Sequence, residues 1–380
     1  MKRILLALLM AASVQGQEQK ATNKKTEMQN QIRFENMSFI QDRTTQSEEK
    51  RINLKTEAEG SREGTEKIAT QQESVSDKVQ QHPEQSNGGT GKVELAPEIA
   101  AKAVHQTAKE EVYSLNRLYG PSQYDSRIEI AQLQADNSWQ LAIRQVSESV
   151  GMIIEKEQLV KISESTYQLN AVVTLGNRYN LCDGEAFANQ LVVGVGTAFI
   201  IDRDIMVTAA HVFQRPLKDY AVVFGYRVIN SLGTAETGIP ASDVYFPINL
   251  QQENNELDVV RFQTDREFSR PVLQWEQSKA LSEGTEIYML GYPMGLPEKL
   301  AINADITDNS FHYYFYTSLD SFQGNSGSPI FNYETHKVIG VLVSGMTDYE
   351  LKGDCYQSTL CKGPNCVGEK AIRIEMVFDP

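Results

Sequence analysis

From Val150 onward the chain runs as short apolar stretches separated by turn-forming clusters. Val150–Ile154, Gly196–Ile201, Ile205–Ala209, Tyr220–Phe224, Leu257–Phe262, Glu286–Leu290, Tyr313–Ser318, Pro329–Asn332 and Val338–Ser344 each hold four to seven residues. Runs this short, rich in β-branched and aromatic residues, predict strands rather than helices. Asp202-Arg203-Asp204, Ser282-Glu283-Gly284, Gly291-Tyr292-Pro293 and Gly295-Leu296-Pro297 punctuate them, as turn residues do. Many short strands without alternating helices argue for an all-β sandwich or barrel pair and against a parallel α/β sheet.

The first hundred residues follow another pattern. Met1-Lys2-Arg3 precedes the apolar run Ile4–Ala12, a positive start followed by an apolar segment within the roughly 7–15 residues of a secretory signal. Small Val14 and Gly16 suit cleavage after residue 16, so residues 1–16 are expected to be a signal peptide. A membrane-spanning helix needs about 20 apolar residues, and no later stretch supplies them. The expected product is therefore secreted, extracellular or periplasmic, with no transmembrane span after signal removal. Residues 17–111 are expected to be a polar, low-complexity spacer or propeptide, disordered or partly helical. Phe34 and Phe39 are the only aromatics in 17–94, too little apolar surface to offset chain entropy. Pro97 opens a helix predicted near 97–118, and Gly120-Pro121 ends it. The globular domain is expected over 112–380.

Composition sharpens this division. Fifty acidic and 36 basic residues among 380 give a net charge of −14, of which −13 falls after residue 100. Both Trp, all 16 Tyr, all four Cys and 12 of the 14 Phe also lie there, so one core belongs to that part. An acidic globular part argues against phosphate-backbone binding, which needs a basic face; no nucleic-acid partner is expected. Export would expose Cys182, Cys355, Cys361 and Cys366 to oxidising surroundings, and structural disulfides are expected, with three pairings open. The x5 and x4 spacings of the last three differ from paired zinc ligands, and His82, His105, His312 and His336 form no ligand-spaced cluster. No metal and no cofactor is expected.

Three short segments carry candidate chemistry. Val207-Thr-Ala-Ala-His211 closes an apolar strand, Glu256-Leu-Asp258 opens another, and Asp320-Ser-Phe-Gln-Gly324-Asn-Ser326-Gly-Ser-Pro329 is a Gly-rich turn between strands. Singly, each has a bland alternative: a core histidine, a strand-capping acid, a turn serine. Together they supply what a serine nucleophile needs. Its oxygen is weak at neutral pH and requires a base; histidine titrates near that pH; an aspartate fixes the imidazole tautomer. The glycines let the backbone turn sharply, so that the N–H groups of Gly324 and Ser326 can point at one developing oxyanion.

Thr208-Ala-Ala-His211 and Gly324-Asn-Ser326-Gly-Ser-Pro329 resemble the histidine and serine boxes of chymotrypsin-like serine peptidases. The second box is similar to that of the secreted bacterial branch that includes the glutamyl endopeptidases. Leu181–Gln190, Gly291–Pro297 and the segment from Gly345 to Arg373 resemble further blocks of bacterial trypsin-like peptidases, so the resemblance covers roughly residues 119–375. It implies two perpendicular six-stranded antiparallel β-barrels with a site in the cleft between them. His211, Asp258 and Ser326 would be catalytic, Gly324 and Ser326 would form the oxyanion hole, and Asp320 with Ser321 would bind substrate. Two departures stand out. Gly196 and Val212 occupy places where many relatives carry a disulfide around the histidine box. Asn325 stands where trypsin-type zymogens carry an Asp that pairs with a freed N-terminus.

Asp320, six residues before Ser326, matches the acid at the base of a trypsin-type pocket and would favour Lys or Arg through charge-assisted bonding. The glutamyl branch uses a histidine in the strand that here reads Val341-Leu-Val-Ser344. Peptide or protein substrates and a monomer are the expectation. Glutamyl-type specificity on the same fold and a non-catalytic peptide-binding homologue are the alternatives; an adhesin carried on the polar N-terminal stretch is a third.

Overall fold

The computed structural model describes residues 118, 120–122, 125–230, 232–360 and 366–378. The expected signal peptide, the polar stretch and all but the last residue of the helix expected near 97–118 lie outside them. Each of the nine apolar runs contains a strand, and Pro329–Asn332 and Val338–Ser344 keep the bounds read from sequence.

The strands form two large antiparallel sheets. In the first the order is Val244–Tyr245, Tyr220–Val223, Val150–Glu155, Gly196–Ile200, Ile205–Ala209, Val259–Thr264 and Pro247–Asn254. The two edge strands of this sheet are separated along the chain by Phe246 alone. One stretch of backbone thus serves both edges, and the sheet curls into a half-barrel. The second sheet runs Lys299–Asp308, Glu286–Gly291, Pro329–Asn332, Val338–Ser344, Glu369–Arg373 and Tyr314–Thr317. It returns to its first strand through Ile306 opposite Thr317 and so closes on six strands. Closure removes the exposed edges that open sheets must otherwise protect. The all-β, trypsin-like expectation holds. The short strand Arg127–Glu129 joins the outside of the closed barrel, pairing with Lys299–Ala301.

One apolar body runs through both sheets. It includes Met152, Phe199, Val207 and Phe262 of the first and Tyr288, Leu290, Leu300 and Ile372 of the second. A second cluster around Ile287, Phe315, Ile330 and Leu342 fills the closed barrel. Each such side chain, fully buried, contributes about 1.5–3 kcal/mol. Between the sheets, Arg227 bridges Glu148 and the fully buried Glu298. Burial pushes the Glu298 carboxyl up to about 7, with Arg227 pulling it down.

Of the three open pairings, Cys182–Cys355 is formed. It ties the Leu181–Cys182 segment to the hairpin Tyr349–Lys352/Cys355–Ser358. Cys366 is also disulfide-bonded, and Cys361 lies outside the described residues. Among the described residues no helix is long and apolar enough to cross a membrane.

Candidate active site

Strand register brings the first two candidate side chains together. Ile205–Ala209 ends opposite the start of Val259–Thr264, with Ala209 facing Val259. His211 sits on the 3-10 turn Ala210–Val212 that follows one strand, and Asp258 immediately precedes the other. The Ala210 N–H donates to the Asp258 carbonyl at 3.0 Å. The His211 N–H donates to Asp258 Oδ1 at 2.9 Å, and His211 Nδ1 lies 2.5 Å from Asp258 Oδ2. Asp258 adopts φ 59°, a left-handed conformation uncommon for non-glycine residues and tolerated best by Asp and Asn.

Ser326 arrives from the closed barrel, in the turn between Tyr314–Thr317 and Pro329–Asn332. Its Oγ lies 2.8 Å from His211 Nε2, so the three residues predicted from sequence form one hydrogen-bonded line. The side chains of His211 and Asp258 are each 25 % exposed, which leaves the line open to a substrate.

The turn around Ser326 explains its glycines. Gly324 has φ 92°, and a Cβ there would stand 2.6 Å from the Tyr292 carbonyl oxygen. At Gly327, with φ 86°, a Cβ would meet the Thr197 carbonyl oxygen at 2.2 Å. Within the turn the N–H groups of Asn325, Gly327 and Ser328 donate to Phe322, Leu342 and Asn325 carbonyls. Among the described residues no acceptor lies opposite the N–H of Gly324 or Ser326. Two donors are therefore left free on alternate residues, next to the Ser326 hydroxyl.

Sequence reading missed Thr197, which stitches the two sheets together at this turn. Its N–H donates to the Ser326 carbonyl at 3.0 Å and its hydroxyl to the Gly324 carbonyl at 2.8 Å. The same hydroxyl accepts the Tyr292 N–H at 3.1 Å, and its carbonyl accepts the Thr208 hydroxyl at 2.7 Å. A lone threonine inside an apolar run gives no signal of this. The place of the absent disulfide is filled by packing: a Cβ on Gly196 would stand 2.5 Å from a Val212 methyl. Asn325 is buried, and its Oδ1 has no partner among the described residues.

Asp320 and Ser321 lie at the start of the same turn, but they engage other groups. Asp320 Oδ2 accepts the Ser126 N–H at 2.9 Å. Burial pushes its carboxyl up to about 6, while Arg127 pulls it down. The Ser321 hydroxyl donates to Glu369, a residue that sequence reading passed over. Asp348 accepts the Gln323 N–H at 2.8 Å, and burial raises its carboxyl to about 7. Among the described residues no group of three or more His, Cys, Asp or Glu side chains is arranged to hold a metal.

An all-β fold with a serine, a histidine and an aspartate aligned at the meeting of two sheets defines a class, the serine-type peptidases. Residues 196–341, which contain all three, match the family model of the trypsin-like peptidase domain. The chain is a serine-type peptidase, a hydrolase. Among solved structures it is similar to the Rv3671c protease of M. tuberculosis. The active form is 16 % identical, over 62 % of this chain and 81 % of that one, with a TM-score of 0.39. The inactive form is 15 % identical, over 63 % and 89 %, with a TM-score of 0.38. No curated protein matches the chain.

Proposed function

We propose that the chain is an exported endopeptidase that hydrolyses peptide bonds through an acyl-enzyme on Ser326. The observation that carries this reading is the continuous line Asp258–His211–Ser326, with contacts of 2.5 and 2.8 Å. His211, protonated on Nδ1 toward Asp258, takes the Ser326 proton on Nε2 as Oγ attacks the scissile carbonyl carbon. Asp258 holds that tautomer and stabilises the imidazolium. The N–H groups of Gly324 and Ser326 receive the oxyanion. Each such donor is typically worth about 10²–10³ in rate. Collapse of the tetrahedral intermediate breaks the C–N bond, and His211 passes its proton to the departing amine. Water then attacks the ester, again giving a proton to His211, and the second collapse returns that proton to Ser326.

The Cys182–Cys355 disulfide suits an oxidising compartment and, with the leader-like start of the chain, supports export. The acidic surroundings of the nucleophile turn support a preference for Lys or Arg before the scissile bond. A fluorophosphonate probe should label Ser326, and Ser326→Ala should abolish labelling and hydrolysis together. Folded, matured protein that resists the probe would sink this reading, and tight peptide binding unchanged by Ser326→Ala would replace it with a silent peptide-binding module.

A further inference from the structure

The turn that carries Ser326 is flanked by a carboxylate that has no ion-pair partner among the described residues. Strand Glu369–Arg373 pairs on one side with Tyr314–Thr317, where Glu369 faces Thr317, and on the other with Val338–Ser344, where Lys370 faces Ser344. Both neighbours lead to the reaction centre. The first runs on into the turn 320–326. The second exchanges backbone bonds with the nucleophile turn, Gly327 N–H to Leu342 at 2.7 Å and Leu342 N–H to Ser328 at 3.0 Å. Glu369 therefore lies at the end of a strand flanked by two others that lead to Ser326.

Its surroundings are built to keep a carboxylate there. Oε2 accepts the Ser321 hydroxyl, and Oε1 accepts the Met346 N–H at 3.1 Å. A Cβ on Gly345 would lie 1.8 Å from Oε2, so glycine at that position makes room for the carboxylate. Glu369 is 5 % exposed. Burial pushes its carboxyl up to about 8; Asp348 and Asp320 push the same way, and among the described residues no ion pair reaches it. A buried carboxylate is ordinarily paired with a cation.

Asp320 is already committed. It accepts the Ser126 N–H, next to Arg127, whose guanidinium grips Asp125 at 2.9 and 2.7 Å. That guanidinium also stacks 3.7 Å above the Phe322 ring. Asp320 thus fastens the segment leading into Arg127–Glu129 to the nucleophile turn.

We propose that Glu369, rather than Asp320, receives the cationic side chain of the substrate, with Ser321 orienting it. This rests on the triad reading above. A carboxylate offers about four lone-pair sites; two are occupied, and each oxygen keeps one for an ammonium or guanidinium. The bound side chain supplies the absent counter-charge through charge-assisted hydrogen bonds.

The test uses the full chain, as wild type, Glu369→Gln and Asp320→Asn, on peptides that differ only in the residue before the scissile bond. With Lys or Arg there, Glu369→Gln should lower kcat/KM about 100-fold, the scale of a charge-assisted bond in a buried site. With Gln or Leu it should change little. Asp320→Asn should lower kcat similarly for every peptide, because it loosens the turn and not the side-chain site. Benzamidine should compete with substrate in the wild type, an arm that stands even if Glu369→Gln fails to fold. Selective loss of Lys and Arg cleavage in Asp320→Asn alone, equal loss across peptides in Glu369→Gln, a wild type that prefers Glu, or no competition by benzamidine would each overturn the proposal. Fluorophosphonate labelling of the same samples separates the two readings. Labelled wild type without basic preference defeats only the role of Glu369, whereas unlabelled wild type defeats the triad.

Discussion

The half-barrel and the closed barrel meet at one serine and treat charge in opposite ways. On the half-barrel side, Asp258 is a quarter exposed and both of its oxygens are met by His211. On the closed side, buried Glu369 and half-buried Asp320 and Asp348 are held above the ordinary carboxylate range by loss of solvent. Arg127 is the cation that lowers Asp320 and Asp348, and among the described residues no ion pair reaches Glu369. The difference teaches that reaction and recognition are built separately. The pair proposed to move protons is partly accessible and mutually bonded; the carboxylate proposed to read a side chain, Glu369, is buried and has no ion-pair partner among the described residues.

The largest expected effect breaks the reactive half. Ser326→Ala should cost roughly 10⁶ in kcat, the scale of losing a nucleophile that works as part of a unit. Asp258→Asn should cost roughly 10⁴ by favouring the wrong histidine tautomer, with probe labelling slowed in parallel. Single-turnover kinetics with an ester substrate would check both, and near-normal turnover in either variant would separate the aligned side chains from catalysis.

Thr197→Val sharpens the comparison at the seam. It keeps the shape but leaves the Gly324 carbonyl and the Tyr292 N–H without their partner. Each unsatisfied buried group costs about 1–3 kcal/mol, so urea denaturation should show a loss of that order per group. The oxyanion turn should loosen with it, lowering kcat more than it raises KM.

The smallest effect concerns acidity on the closed side. Asp320, Asp348 and Glu369 are pushed up by loss of solvent to about 6, 7 and 8, from ordinary values of 3.8, 3.8 and 4.5. Between those limits the folded chain holds protons that the unfolded chain has released. Their contribution to stability is therefore present at low pH and lost as pH rises toward 8. Thermal unfolding from pH 5 to 8.5 should show a falling Tm, and the fall should shrink in Glu369→Gln. Identical slopes in the two proteins would mean that Glu369 is not held protonated by burial.

Much of the fold was legible because apolar runs fall where the barrels need buried strands. What escaped did so for physical reasons. Lys299–Asp308 is the longest strand of the two barrels, yet Asn303 and Asp305 break its apolar pattern, and Asn303 takes φ 58°. Glu369-Lys-Ala-Ile-Arg373 carries three charged residues in five and so lacks the apolar run of the other strands. Arg373 is nevertheless fully buried, because its guanidinium donates to the carbonyls of His312, Asn309 and Phe311. The helix Ser138–Ser147, capped by Asn137, carries Trp139, Ala142, Ile143 and Val146 at helical spacing, a pattern that sequence reading passed over. In the site, His211, Asp258 and Ser326 were legible because their chemistry sits in compact local motifs. Thr197 and Glu369 were not, since their partners are 127 and 48 residues away along the chain.

The strand Arg127–Glu129 would set a limit on any N-terminal processing. It belongs to the closed barrel through its pairing with Lys299–Ala301, and the residue before it holds Asp320. A processing cut upstream of Asp125 spares every one of those bonds. A cut a few residues later removes the strand added to the outside of the barrel and unfastens the turn around Ser326 in one step. The mature N-terminus is therefore expected no later than Asp125, and trimming beyond it would act as an off-switch for the enzyme.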